Sequence, residues 1–438
     1  MTLRTRRILF LGFAAIFIPI SVAVIFYSDG WRFDLETFSF KKTGAIYIET
    51  IPKDAQIYLD GKEIPNQAGL IKKGTLISDL LPKNYNLKIK KDGYFDYLKN
   101  IKVEESFVGE LIDTILILKN LKSEEVFQNK SEKLAGDEIV DLENGEMIIK
   151  NSLKNVYYIY NLDEQTLAFN LSDSLNIYRG KKTEIKKVAI HPFDNNRFII
   201  ETFGGVYIFD QSRQKLEAIF QNSTSSQLLA WNMDNPTIYF VKSESISKNI
   251  PKKQIILSLN LITKIESQIF EAATTTQKIS QIKISDSGSK IAFLDIQNNL
   301  FLLDSNLKEA KQIAGNVKNF YFSPNSKKIV FYDDKKISVY FFEDQYNNFK
   351  IKSGEIFKFN LKSNESVKNI FWYKDSYHLI IAYGLPKKIS SVDFAEIDNR
   401  EPQNIFNLIK DISDFFYYTS SNNFYFVDGG NFKFFKID

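Results

Sequence analysis

Four ten-residue frames in the C-terminal part of the chain superpose without a gap: Trp231–Phe240 (WNMDNPTIYF), Ile284–Phe293 (ISDSGSKIAF), Phe322–Phe331 (FSPNSKKIVF) and Trp372–Ile381 (WYKDSYHLII). Each joins an apolar residue to a turn cluster rich in Ser, Asn, Asp and Pro, and then to a β-run. Looser copies occupy Asp141–Ile149, Ile190–Ile200 and Tyr418–Phe426, and further strands follow the frames, as in VYIFD (206–210) or LFLLD (300–304). Seven such units at a spacing of roughly 40–50 residues predict a β-propeller of four-stranded blades. The seventh unit runs out at Asp438 one strand short. An open ring would leave an unpaired edge, so a closing strand is expected from around Val126 or Leu134, in the polar segment 119–137.

The other strong constraint is Ile8–Tyr27 (ILFLGFAAIFIPISVAVIFY), which carries no charge. About 20 residues at ~1.5 Å rise cross one hydrocarbon core. Arg4, Arg6 and Arg7 precede the run, and the positive-inside bias places that end in the cytoplasm and the bulk of the chain outside. A cleaved secretory signal is the alternative. An uncleaved anchor is favoured because the run is long and ends in the bulky Ile25, Phe26 and Tyr27 rather than in small residues. Residues 1–7 then form a cytoplasmic tail, 8–27 the anchor and 28–43 a short juxtamembrane stalk.

From Gly44 the pattern has period two. Tyr85, Leu87 and Ile89 share one face, and Asn86, Lys88 and Lys90 share the other. Asp60-Gly61 between apolar runs is a strong hairpin signal. Six short strands across 44–118 read as a small β-sandwich. Pro52-Lys53-Asp54-Ala55, then Ile57 to Lys62 around Asp60-Gly61, Leu81-Pro82 with Tyr85, and Lys91-Asp92-Gly93-Tyr94 fall in the order and spacing of a known family. This block resembles the PEGA domain. The residues carrying the likeness are Pro52, Ala55, Asp60, Gly61, Gly93 and Tyr94. The family's Pro-Gly turn is replaced by Pro82-Lys83-Asn84, where Asn84 is expected to take the left-handed position. The resemblance implies a surface module that contacts wall polymer or other envelope proteins. In turn chemistry alone, FSPNSKKIVF resembles the WD-like repeats of the periplasmic Tol-system propeller.

Composition removes several chemistries. Cysteine is absent, which excludes disulfides, thiolate metal sites and thiol nucleophiles and fits a bacterial or archaeal envelope. Net charge is +4, of which three units are the N-terminal arginines. The outer part is therefore near neutral and lacks the basic footprint of a nucleic-acid binder. The two histidines, His191 and His378, lie in repeat turns with no second ligand at metal spacing. Asp295 with Asn298-Asn299, and Asp428-Gly429-Gly430-Asn431, read as turns because neither has the glutamate of a calcium loop. Aromatic clusters at Tyr157, Tyr158 and Tyr160 and at Phe415, Phe416, Tyr417 and Tyr418 suit packing between blades better than a sugar platform.

The expectation is an all-β chain: an N-terminal transmembrane helix, a PEGA-like β-sandwich at 44–118, and a seven-bladed propeller at 119–438 that includes the linker or closing strand 119–137. No catalytic, cofactor-binding or metal residue is assigned. The expected function is non-catalytic binding or scaffolding at the cell surface by a protein anchored in the cytoplasmic membrane. The alternative is a glycan-processing propeller enzyme with carboxylates converging on the central channel, which leaves no local motif.

Overall fold

Residues 2–69, 71–126, 138–143, 145–164, 166–191, 194–221, 226–231, 236–244, 253–272, 278–304, 309–346, 349–359, 361, 365–385 and 388–437 are described by the structure, a computed structural model. Helix α1 (Leu3–Ser28) starts earlier than the apolar run, so Arg4, Arg6 and Arg7 lie on its first turns. Thr2 caps it by accepting from the Thr5 amide, and the helix continues through Pro19. None of its residues is buried.

The segment read as a stalk is instead a folded hairpin. Strands β1 (Trp31–Asp34) and β2 (Ser39–Lys42) pair antiparallel, with Phe33 opposite Phe40. The sandwich follows with seven strands rather than six. They are β3 (Gly44–Ile51), β4 (Gln56–Leu59), β5 (Lys62–Ile64), β6 (Thr75–Leu80), β7 (Asn84–Lys90), β8 (Tyr97–Lys102) and β9 (Val108–Ile115). One sheet has the order β6-β3-β9 and the other β5-β4-β7-β8. Alternate residues Ile46, Ile48, Ile57, Leu59, Tyr85, Leu87 and Ile89 fill the space between them, as the period predicts. Asn84 opens β7 as an extended residue and does not take the left-handed position; no residue of the Pro82-Lys83-Asn84 turn has a positive φ.

Seven four-stranded sheets follow among the described residues, and they are the blades. Six are sequential, at 138–170, 185–221, 226–272, 279–314, 319–358 and 367–412. The seventh comprises Asp414–Tyr418, Asn423–Asp428 and Asn431–Lys436 plus β10 (Glu124–Glu125) as its outer strand. Glu124 pairs with Phe434, and the Val126 amide donates to the Phe432 carbonyl at 3.0 Å. Closure therefore comes from the Val126 segment; Leu134 lies outside the described residues.

Each repeat frame coincides with the hairpin joining the first and second strands of a blade. In Phe322–Phe331, for example, Asn319–Phe322 ends on the first residue and Lys328–Tyr332 begins at the seventh. Three of these turns share one left-handed position, filled by Gly288 (φ 70°), Ser326 (φ 58°) and Ser376 (φ 64°). The serines also join neighbouring blades: Ser326 Oγ accepts from the Ser287 amide at 3.2 Å, and Ser376 Oγ from the Asn325 amide at 3.1 Å.

Blade strands are covered on both sides, which is why Gly205–Asp210 is buried throughout. An apolar core fills every gap around the ring, from Ile148, Ile159 and Ile190 between blades one and two to Val126, Val427, Ile139 and Met147 between seven and one. The aromatic clusters belong to these cores. Tyr157 packs between blades one and two and Tyr160 between seven and one, while Phe415 and Tyr417 pack between six and seven. A short helix, α2 (Leu171–Arg179), was not legible in the sequence. Asn170 caps it and Gly180 ends it at φ 62°, and Leu171 and Leu175 plug the gap between blades one and two.

Candidate functional site

The sandwich meets the propeller along β8, the edge strand of its four-stranded sheet. The loop between Glu396 and Ile405 in blade six covers that edge. Asn404 Oδ1 accepts from the Leu98 amide at 3.2 Å, its Nδ2 donates to the Leu98 carbonyl at 2.9 Å, and the Glu401 carbonyl accepts from the Asn100 amide at 2.7 Å. An edge strand otherwise exposes these groups to stray pairing. Beneath it the fully buried Lys99 donates to the Glu396 carboxylate and to the carbonyls of Arg400 and Pro402, both at 3.1 Å. Phe95 stacks on Phe406 with centroids 5.5 Å apart, and Ile115 and Ile117 enter the core between blades six and seven.

This junction forms one wall of a groove of about 600 Å³ on the outer face of the same sheet. Strand register builds its floor. Tyr58 stands opposite Lys88 and Lys88 opposite Leu98, one row across three strands, while Asn86 faces Asn100 in the next row. Lys90 and Gly61 border it, and Pro402 of blade six closes one side. Lys88 is paired with Asp96 at 2.7 Å. The groove thus offers one phenol ring, two amides and an ammonium, a set suited to stacking on a sugar ring while bonding hydroxyl or acidic groups.

The residues of the PEGA signature shape this scaffold and do not converge on one point. Asp60 (φ 48°) and Gly61 (φ 78°) form the turn between β4 and β5. The Asn86 amide, bonded to Asp60 Oδ1 at 2.9 Å, holds that carboxyl below its ordinary range. Ala55 is buried and Pro52 accepts from Thr50 Oγ1 at 2.8 Å. Gly93 (φ 84°) turns the chain between β7 and β8, and Tyr94 bridges to Leu118. Arg4, Arg6 and Arg7 are exposed on the first turns of α1.

In the propeller, the first strand of each blade is innermost. Two inner carboxyls act across blade gaps: Asp414 Oδ2 accepts from the Ile139 amide at 2.8 Å, and Asp141 Oδ2 from the Ile190 amide at 2.9 Å. Burial pushes both up to about 6. Lys283 donates to Asn319 Oδ1 at 3.0 Å and lies 3.3 Å from the Tyr321 ring centroid. Burial pushes it well below the ordinary lysine range. His191 and His378 are buried at the turn-proximal ends of blade strands, and His378 Nδ1 lies 2.6 Å from Asp375 Oδ2. Asp295 accepts from the amides of Gln297 and Asn299, and Asp428 pairs with Lys433, so both act within turns. Among the described residues no group of three or more His, Asp or Glu side chains could hold a metal ion.

The PEGA domain family matches residues 43–111, well under half of the chain. No curated protein matches it. Among solved structures the chain is similar to one in the crystal structure of the Mitotic Checkpoint Complex, at 12% identity and TM-score 0.47, covering 72% of this chain and 95% of that one. It is also similar to oligogalacturonate lyase in complex with manganese, at 9% identity and TM-score 0.49, covering 67% and 86%. The family match thus falls on the β-sandwich, and the seven-bladed propeller that follows it lies outside the matched residues.

Proposed function

We propose that this chain is a membrane-anchored envelope protein whose outward part binds wall polymer without chemical turnover, using the groove on the PEGA sheet. The observation that carries the reading is the register row Tyr58–Lys88–Leu98 with Asn86 and Asn100 beside it, in a groove of about 600 Å³. Such a floor fits a hydroxyl-rich, partly anionic chain that lies across the strands. The apolar helix ahead of the sandwich supplies the anchor, and the arginines at its start orient it with the sandwich outside. The propeller serves as a rigid wall, since Pro402 closes the groove from blade six.

Cosedimentation of the detergent-solubilised full chain with purified wall polymer tests this. Tyr58→Ala combined with Lys90→Ala should weaken binding by about tenfold or more, the loss of one stacked ring and one charge. Unchanged binding by the variant would move the site off the groove. Absence of binding by the unaltered chain would overturn the function.

A further inference from the structure

Hairpin β1–β2 is amphipathic in the sense opposite to that of a soluble protein. Its polar face is used up internally. Arg32 bonds Asp79 of β6 at 2.7 Å, while the buried Asp34 pairs with Lys41 at 2.8 Å and accepts from Thr37 Oγ1 at 2.7 Å. Its other face carries Trp31, Phe33 and Phe40, with Leu35 and Phe38 at the tip, and it points away from the protein; Lys42, opposite Trp31 at the base of this face, is paired with Asp29 at 3.3 Å. Exposure is 80% for Phe38, 74% for Leu35, 62% for Phe40 and 45% for Phe33. The rings are already clustered, with Phe33 centroids 5.1 Å from Phe40 and 6.4 Å from Phe38.

Two observations identify what covers this face. It continues from the apolar surface of α1: Phe26 in the last turn packs on Trp31 with centroids 5.9 Å apart. The hairpin is also held in place at both ends. Arg32 Nη1 bonds the Tyr27 carbonyl at 2.7 Å, its guanidinium lies 3.6 Å from the Tyr27 ring, and the Thr43 carbonyl accepts from the Ser106 amide at 3.0 Å. An aromatic surface joined to the end of a membrane-crossing helix sits at the depth where rings are favoured.

We propose that hairpin β1–β2 is a second membrane contact, with Phe33, Leu35, Phe38 and Phe40 inserted at the headgroup–acyl boundary of the outer leaflet. This rests on the anchored reading of α1. Insertion at a second point, beside the helix, fixes the tilt of the sandwich against the bilayer and so directs its groove. A single pivot at Ser28 would leave that direction free.

The chain lacks cysteine, so one introduced thiol reports one site. Full-length protein carrying Phe38→Cys, labelled with an environment-sensitive fluorophore, is reconstituted in phosphatidylethanolamine–phosphatidylglycerol vesicles containing acyl-brominated lipid. A label at the exposed Glu63→Cys on β5 is the reference. The lipid should quench the label at 38 at least about fivefold more strongly than at 63. Equal quenching in protein that stays with the vesicles through alkaline carbonate would overturn the hairpin contact and leave the anchor standing. A label at 38 shielded from aqueous iodide yet unquenched by lipid would assign the face to a second copy or another protein. Extraction of the whole chain by carbonate would remove the anchor and the contact together.

Discussion

The ammonium of Lys99, in the edge strand of the sandwich, is fully buried against the carboxylate of Glu396 in blade six, 297 residues away. Asp398 lies 3.7 Å from the same nitrogen, and two carbonyls complete its shell. Removing two charges from water is costly, and the pair is tolerated because every remaining donor and acceptor finds a partner. Glu396 also accepts from the Asn404 amide at 2.8 Å and from its Nδ2 at 2.9 Å.

Lys99→Met should therefore destabilise the chain by about 3–5 kcal/mol, because it leaves the Glu396 charge buried without its counterion. Adding Glu396→Gln should recover a large part of that loss. Denaturant unfolding of the two single variants and the double variant gives the coupling directly. Additive losses would mean that the two residues act separately.

Ring closure depends on a very short strand. Val126 is buried with Val427 and Phe432 of blade seven and Ile139 of blade one, and its amide bonds Phe432. Val126→Asp should cost about 2–4 kcal/mol by placing a carboxylate in that core, and should expose the outer edge of blade seven to aggregation. Glu124→Ala, at an exposed position two residues earlier, should stay within about 0.5 kcal/mol. Thermal unfolding followed by light scattering compares them. Equal behaviour would show that the ring holds without this segment.

Asp414 supplies a pH test. Its folded value, about 6, lies above the ordinary 3.8. The proton is therefore held more tightly in the folded state. The stability it contributes is complete below about pH 3.8 and is lost as pH rises through about 6. Asp414→Asn keeps an oxygen for the Ile139 amide and removes the charge. The variant should match the parent near pH 4 and exceed it at pH 8 by on the order of 1–2 kcal/mol. A parent that is the more stable of the two at pH 8 would mean that Lys368, which favours the ionised form, outweighs burial.

The serine turns make a narrower prediction. Ser376 is buried and its hydroxyl accepts from the Asn325 amide of the neighbouring blade, while its backbone takes φ 64°. Ser376→Gly should ease the backbone and lose the bond, a net change of within about 1 kcal/mol. Ser376→Val should cost at least about 2 kcal/mol, since a β-branched residue is strained there. Comparable melting of the two variants would argue against a positive φ at this position.

Much of the architecture is local and so was legible. A blade hairpin is set by a turn cluster between two apolar runs, and all seven frames mark the same hairpin of the blade. The sandwich follows from alternation, and the long apolar N-terminal helix from an uncharged run. One hint of the junction was also present: in Tyr97-Leu98-Lys99-Asn100-Ile101 the period puts Lys99 on the inward face between Tyr97 and Ile101. A charge at an inward position requires a partner, but nothing nearby in the chain says which. Tertiary structure chose Glu396, and it likewise chose Val126 to close the ring, Pro402 to wall the groove and Asp414 to cap Ile139. These are pairings between residues tens to hundreds of positions apart, fixed by where whole blades and sheets come to rest. The hairpin β1–β2 failed for a related reason. Its alternation, WRFD and SFKK, is ordinary, and only the packing of Arg32 on Asp79 reveals that the aromatic face is the one turned outward.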